Sequence, residues 1–246
     1  MRSNREKVEQ YLEFIDTDAV GYLAKDLRTK HEWSLGFIAF AIENLHHLPN
    51  LRDSVRELAA VPFGRNRELA KYYNLRTEFM AMRFVADVLS LSIAEVESPT
   101  HKIISPTSDG QKSCDIRATN GENDYYFDAK DFSAEILSLE PLRSQPNAHT
   151  FEPADPRRLR RWIEQKAKET AKKGANFCIG RIPSMGLPDA PVFTSSWVHE
   201  LFGPHKRTGL RECRVETRKA FPTFFNGVYL IHESDYLLLR LESHRD

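Results

Sequence analysis

The stretch YYFDAKDF, residues 125–132, decides the reading of this chain. Phe127 and Ala129 point to one side of an extended backbone and Tyr126, Asp128 and Lys130 to the other, the period-two pattern of a strand with one apolar and one polar face. Upstream, SCDIRAT at 113–119 divides the same way, with Cys114, Ile116 and Ala118 against Ser113, Asp115 and Arg117. The intervening NGEND carries an Asn-Gly turn signal, so the two segments are expected to form an antiparallel hairpin. With an even-numbered loop, both apolar sets share a face and Asp115 comes opposite or diagonal to Asp128. Like charges facing across a ladder are destabilising, whereas opposite charges there would contribute roughly 0.2–1 kcal/mol. The pair therefore needs a neutralising partner. Hard carboxylate oxygens suit Mg²⁺ or Mn²⁺, and Lys130, one pleat beyond Asp128, would sit beside such an ion.

Outward from the hairpin, Arg67 to Leu91 reads as one long helix with Leu75, Phe79, Met82, Ala86 and Leu89 as its apolar stripe and Glu78 next to it. IAEVES and KII follow as short β-like segments. After a proline-rich polar loop, DPRRLRRWIEQKAKETAKK has an acidic start, Pro156 near its first turn and lysines at its end, which predicts a helix over 157–173. Leu159, Trp162, Ile163, Ala167 and Ala171 give that helix a core face, and NFCIGRI follows as a strand. The first sixty residues read as a helical lobe, because Trp33, Phe37, Ile38, Ala41, Leu45 and Leu48 fall at helical spacing; VPFGRN marks a boundary near residue 64. His46 and His47, at the end of that helix, are read as terminal residues rather than metal ligands. In the last sixty residues a basic stretch, HKRTGLRECRVETRK, precedes two strands, GVYLIHE and YLLLRLE.

The order of a helix with Glu78, strands, Asp115, the tripeptide DAK at 128–130, a helix and a further strand resembles the PD-(D/E)XK nuclease core. The likeness covers about residues 67–182, and its motif is short. It implies an α+β fold with a restriction-endonuclease-like α/β/α core, a mixed sheet flanked by helices. An N-terminal helical lobe over 1–64 would precede a nuclease domain over 65–246, of which 183–246 is a C-terminal extension. The resemblance further implies that Asp115, Asp128 and the Ala129 carbonyl hold the metal, that Lys130 positions or activates the attacking water, and that Glu78 assists. Cys114 stands where the family has proline. Asp109 and Glu68 are rivals for the first acid and the helix glutamate, though Asp109 sits in turn-like surroundings. The implied activity is Mg²⁺- or Mn²⁺-dependent hydrolysis of phosphodiester bonds by a metal-activated water, in DNA rather than RNA. The rival readings are a catalytically inactive nucleic-acid-binding or scaffolding protein of the same fold, and an unrelated α+β protein with a solvent-facing hairpin.

Substrate contact would fall to the basic helix, through Arg157, Arg158, Arg161, Gln165, Lys166 and Lys168, with 206–219 as a second surface. Over its 246 residues the chain balances 35 basic against 35 acidic side chains, so any electrostatic footprint is local. Three widely spaced cysteines argue against a disulfide framework or structural zinc. The charged N-terminus and the lack of an apolar run of roughly 20 residues lead to the expectation of a cytoplasmic protein without a membrane partner. A homodimer would suit cutting of two strands. No Walker loop, dinucleotide fingerprint or GxSxG elbow is present.

Overall fold

A computed structural model describes residues 3–14, 21–29, 32–45, 47–48, 50–62, 64, 66–132, 156–182, 193–217, 219–232 and 235–243. His46 and the loop before Pro156 lie outside them. The hairpin forms as its alternation requires: β2 (Ile116–Thr119) pairs antiparallel with β3 (Asp124–Asp131), with Ile116 opposite Phe127 and Thr119 opposite Asp124. The four-residue loop between them is even. Its turn is closed by the Asn120 side chain, which accepts from the backbone N–H groups of Glu122 and Asn123.

Among the described residues, five helices precede the sheet: α1 (Asn4–Phe14), α2 (Gly21–Arg28), α3 (Glu32–Glu43), α4 (Leu51–Ala60) and α5 (Asn66–Arg83). The helix expected to reach residue 91 relaxes into a π-helical turn over Phe84–Val88, and β1 (Ser92–Val96) follows. Phe84 lies edge-on to Tyr229 and Tyr236, so this turn is held against the far strands of the sheet. After the hairpin come α6 (Pro156–Lys172) and β4 (Phe177–Arg181). Residues 193–243 then supply α7 (Ser195–Phe202), β5 (His205–Gly209), β6 (Glu212–Thr217), β7 (Gly227–His232) and β8 (Asp235–Ser243).

The eight strands make one mixed sheet in the order β1-β2-β3-β4-β7-β8-β6-β5, an α+β fold as expected. Strand β4 is buried along its whole length, and its partners β3 and β7 both run parallel to it. A Cβ at Gly180 would lie 2.0 Å from the Phe132 ring, so only glycine lets that ring cross the strand. One face of the sheet, through Ile116, Ala118, Phe127, Ala129, Phe177 and Ile179, shares a single core with α1–α5. The other face packs Cys178, Val228, Leu230 and Leu239 against Leu159, Ile163 and Ala167 of α6 and against α7. Helix α5 lies on that face against β3, and α3 and α4 pack in turn on α5 within the same core.

Candidate active site

The backbone bends at Asp115, where β2 peels away from β3. Asp115 donates its N–H to the carbonyl of Phe127 (3.0 Å), the residue already paired with Ile116, so the regular register ends at Ile116 and Asp115 is displaced from it as in a bulge. Its carboxylate turns into the gap left by the bend and accepts from the Ala129 N–H (2.6 Å). Asp128 is fully buried.

Two ammonium groups neutralise this pair. Lys130 Nζ lies 2.9 Å from Asp128 Oδ1 and 2.8 Å from Oδ2, on the same strand face. Lys173, just past the end of α6, lies 2.6 Å from Asp128 Oδ1 and 3.8 Å from Asp115 Oδ1, so it spans both acids. Thr170 Oγ1 donates to Asp128 Oδ2 (2.7 Å). The like charges that call for a neutralising cation thus find one in the protein's own lysines, before any metal is bound. Both lysines keep about a quarter of their side chains exposed (21% and 24%), so the cluster is reachable from solvent.

The electrostatics follow from this geometry. Burial, then the charge of Asp128, pushes the Asp115 carboxyl up to about 7 against the pull of Lys130 and Lys173. Burial would also raise Asp128, but Lys130 and Lys173 hold it below the usual carboxylate range. Both ammoniums are raised despite burial, Lys130 by Asp128 and then Asp115, Lys173 by Asp115 and then Asp128. Glu78 of α5 belongs to the same field: burial, then the charges of Asp115 and Glu97, push it well up, and Lys130 pulls it back. Glu97 was read only as part of a strand. It sits against Asp115, donating its N–H to the Asp115 carbonyl (2.8 Å) and accepting from Ser113 Oγ (2.7 Å) and Lys102. A cavity of about 610 Å³ reaches Glu78 and Glu97 from the side of α4 and α5, with Arg67, Lys71 and Lys102 also on its wall.

Sequence reasoning therefore placed Asp115, Asp128, Lys130 and Glu78 in one neighbourhood, and the structure brings them together. It missed Thr170 and Lys173. Thr170 is a polar residue in the apolar row Leu159, Ile163, Ala167, Ala171, and a buried polar residue in such a row needs a partner across the interface. Asp109, the rival first acid, is exposed in a bend, where its N–H binds the Lys172 carbonyl. Glu68 lines no part of the acid cluster.

Helix α6 has two distinct polar sides. Arg157, Arg161, Gln165 and Lys168 are exposed on the side away from the sheet; the Arg158 side chain lies outside the described structure. Trp162, expected in the core, is only half-buried, with Lys166 Nζ 5.8 Å from its ring centroid. Lys166 and Gln165 both bind Glu169, at 2.8 and 3.0 Å, and the Glu169 carboxyl is held low by those contacts and by the charge of Lys130. Lys166, Glu169 and Lys173 thus form the flank of α6 that meets the acid pair.

Among the described residues, no group of three or more His, Cys, Asp or Glu side chains is placed to hold a metal ion. Asp115 and Asp128 nevertheless offer a hard-oxygen donor pair of the kind Mg²⁺ and Mn²⁺ accept. The three cysteines are buried and unpaired, and no described helix is long and apolar enough to cross a membrane. Comparison with protein-family models, with curated proteins and with solved structures finds no match for this chain.

Proposed function

We propose that this protein is a metal-dependent nuclease. The observation that carries the reading is the pair of buried carboxylates, Asp115 and Asp128, brought together where the β2–β3 register ends, spanned by the Lys173 ammonium and with Lys130 on the Asp128 strand face. Buried, mutually perturbed titratable groups of this kind, reachable from solvent, cluster at functional sites.

Asp115, Asp128 and the Ala129 carbonyl would hold Mg²⁺ or Mn²⁺. Such an ion acidifies a bound water and offsets the charge that develops on phosphoryl and leaving-group oxygens. The residues of the chain supply the rest. Lys130, anchored on Asp128, presents a fixed ammonium beside the nucleophile's position. Thr170 holds the Asp128 carboxylate in one orientation. Glu78, with its carboxyl raised toward neutrality, is a group able to hold a proton next to the acid pair. Lys166, on the flank of α6 that faces the cluster, is the basic residue of that helix best placed to meet a phosphate. DNA is the proposed substrate, with cutting of two strands by a homodimer as the proposed arrangement and the cytoplasm as the proposed location.

The test is incubation of purified protein with plasmid, linear duplex, single-stranded DNA and RNA in Mg²⁺, Mn²⁺ or EDTA. Cleavage in the metal arms and none in EDTA is expected. Binding of nucleic acid without cleavage in any arm would instead favour the non-catalytic reading.

A further inference from the structure

The backbone around Lys173 is gripped with unusual thoroughness. Three successive carbonyls at the end of α6 each accept a hydrogen bond from the segment that leads into Asp115. Asp109 N–H binds the Lys172 carbonyl (3.0 Å), and Cys114 Sγ binds the Lys173 carbonyl (3.4 Å). Ser105 Oγ and Thr107 Oγ1 both bind the Gly174 carbonyl (2.8 and 2.9 Å). Gly174 has φ +77°, and a Cβ there would lie 2.4 Å from the Ser108 nitrogen, so this approach is open to glycine alone. One segment therefore fixes both the first acid, at its end, and the origin of the ammonium that spans the acid pair. That grip fixes where the Lys173 side chain begins, and its flexible stem carries the ammonium to Asp128.

Charge counting gives this a consequence. With both carboxyls ionised, Asp115 and Asp128 carry two negative charges, and Lys130 and Lys173 carry two positive ones. A divalent cation added to that balanced set would sit among uncompensated positive charge, and the Lys173 ammonium already occupies the approach to both carboxylates. We propose that Lys173 is the resident counter-ion of the acid pair, that a divalent cation enters only by displacing its ammonium, and that the freed ammonium is met by the phosphodiester, so that cation uptake and substrate binding are coupled. This rests on the nuclease reading above. It adds a residue outside the DAK motif and makes metal affinity depend on an anionic ligand.

The experiment is calorimetric titration of MnCl₂ into the parent and into Lys173→Met, each with and without thymidine 5′-monophosphate, a phosphate-bearing probe with nothing left to cleave. If the displaced form is about a tenth of the free protein, the parent's apparent Kd is about tenfold weaker than that of a site without the lysine. Lys173→Met is accordingly expected to bind Mn²⁺ about tenfold more tightly, and the nucleotide is expected to tighten Mn²⁺ binding in the parent more than in the variant. Equal or weaker Mn²⁺ binding by the variant, in a parent that does bind, overturns the displacement while leaving the nuclease reading in place. No Mn²⁺ binding by either protein removes both. An equal effect of the nucleotide on the two proteins overturns the coupling. Because loss of an ion-paired lysine can weaken the fold, a second measurement uses the parent alone. The ¹⁵N signal of the Lys173 ammonium, assigned with Lys173→Arg, is expected to shift as Mg²⁺ is added. A signal unmoved at saturating Mg²⁺ contradicts the proposal.

Discussion

Strand β3 carries two aspartates three residues apart whose side chains are both covered, and their surroundings could hardly differ more. Asp131 lies directly across from Arg181 in the parallel register with β4, and Arg181 Nη1 reaches it at 3.2 Å; Arg181 also stacks over the Tyr73 ring of α5, 5.8 Å from its centroid. This pair joins an acid to an arginine across two strands, and the arginine's contact with Tyr73 ties the helical face to the sheet. Asp128, on the opposite face, has two lysines, a threonine, a second acid across the hairpin and a third acid nearby on α5. Arginine is the residue suited to a permanent, geometrically fixed pair, whereas lysine is a compact charge on a flexible stem that can move off its partner. The Asp131 pair is built to stay closed and the Asp128 cluster to be rearranged.

Stability measurements should separate the two first. Removing one member of a buried ion pair costs about 3–5 kcal/mol. Asp128→Asn and Asp131→Asn are both expected to lower the urea midpoint in EDTA by an amount in that range. Simple repulsion between Asp115 and Asp128 would instead make Asp128→Asn more stable than the parent, so a raised midpoint would show that the lysines do not compensate the pair. Mn²⁺ is expected to restore stability to Asp131→Asn as it does to the parent, and to leave Asp128→Asn unchanged.

The pH dependence offers a second contrast. The native Asp115 keeps its proton up to about pH 7, whereas the unfolded chain releases it near about 3.9. Between those values the native state holds more protons than the unfolded state, so stability falls as pH rises, by at most about 1.4 kcal/mol per unit, and levels off above pH 7. Asp128 has the opposite sign: its lowered carboxyl contributes stability at neutral pH that is lost only as pH drops below its unfolded value. Urea midpoints from pH 5 to 8 in EDTA should therefore decline for the parent and be flatter for Asp115→Asn. A parent curve already flat over that range would mean that Asp115 ionises normally.

The smallest effect concerns the two polar sides of α6. Each phosphate contact on duplex DNA contributes about −0.9 to the slope of log affinity against log salt. Lys166→Gln is expected to shallow that slope by about 0.9, while Arg161→Gln and Lys168→Gln, on the outward side, leave it nearly unchanged. The reverse pattern would place the nucleic acid on the outer face of the helix.

The hairpin was legible because the information is local. Period-two alternation in 113–119 and 125–130 and a turn pair between them set the register from Ile116 to Thr119, which brings the neighbouring Asp115 and Asp128 to the same end of the hairpin. The helix-to-strand order of the core was legible for the same reason. Lys173 was not, because its role depends on contacts made by 105–114, a segment with little regular structure that is distant in sequence. The C-terminal strands were obscured differently. In β6, Cys213, Val215 and Thr217 alternate inward, but Arg214 and Glu216 between them, in a run of charges, hide the strand within what reads as a basic stretch. Edge strand β5 is polar on both sides and carries no pattern at all. The parallel pairing of β6 with β8 is a tertiary choice that no local signal announces.

The most direct test of the central claim is metal-dependent cleavage by the parent and by Lys130→Ala. This variant leaves Asp128 with Lys173 and Thr170 as partners, so its fold should persist and can be confirmed by circular dichroism. The account predicts that the parent cuts plasmid DNA in Mn²⁺ and not in EDTA, and that folded Lys130→Ala shows no cutting in either. Cleavage by Lys130→Ala at the parent's rate would contradict it.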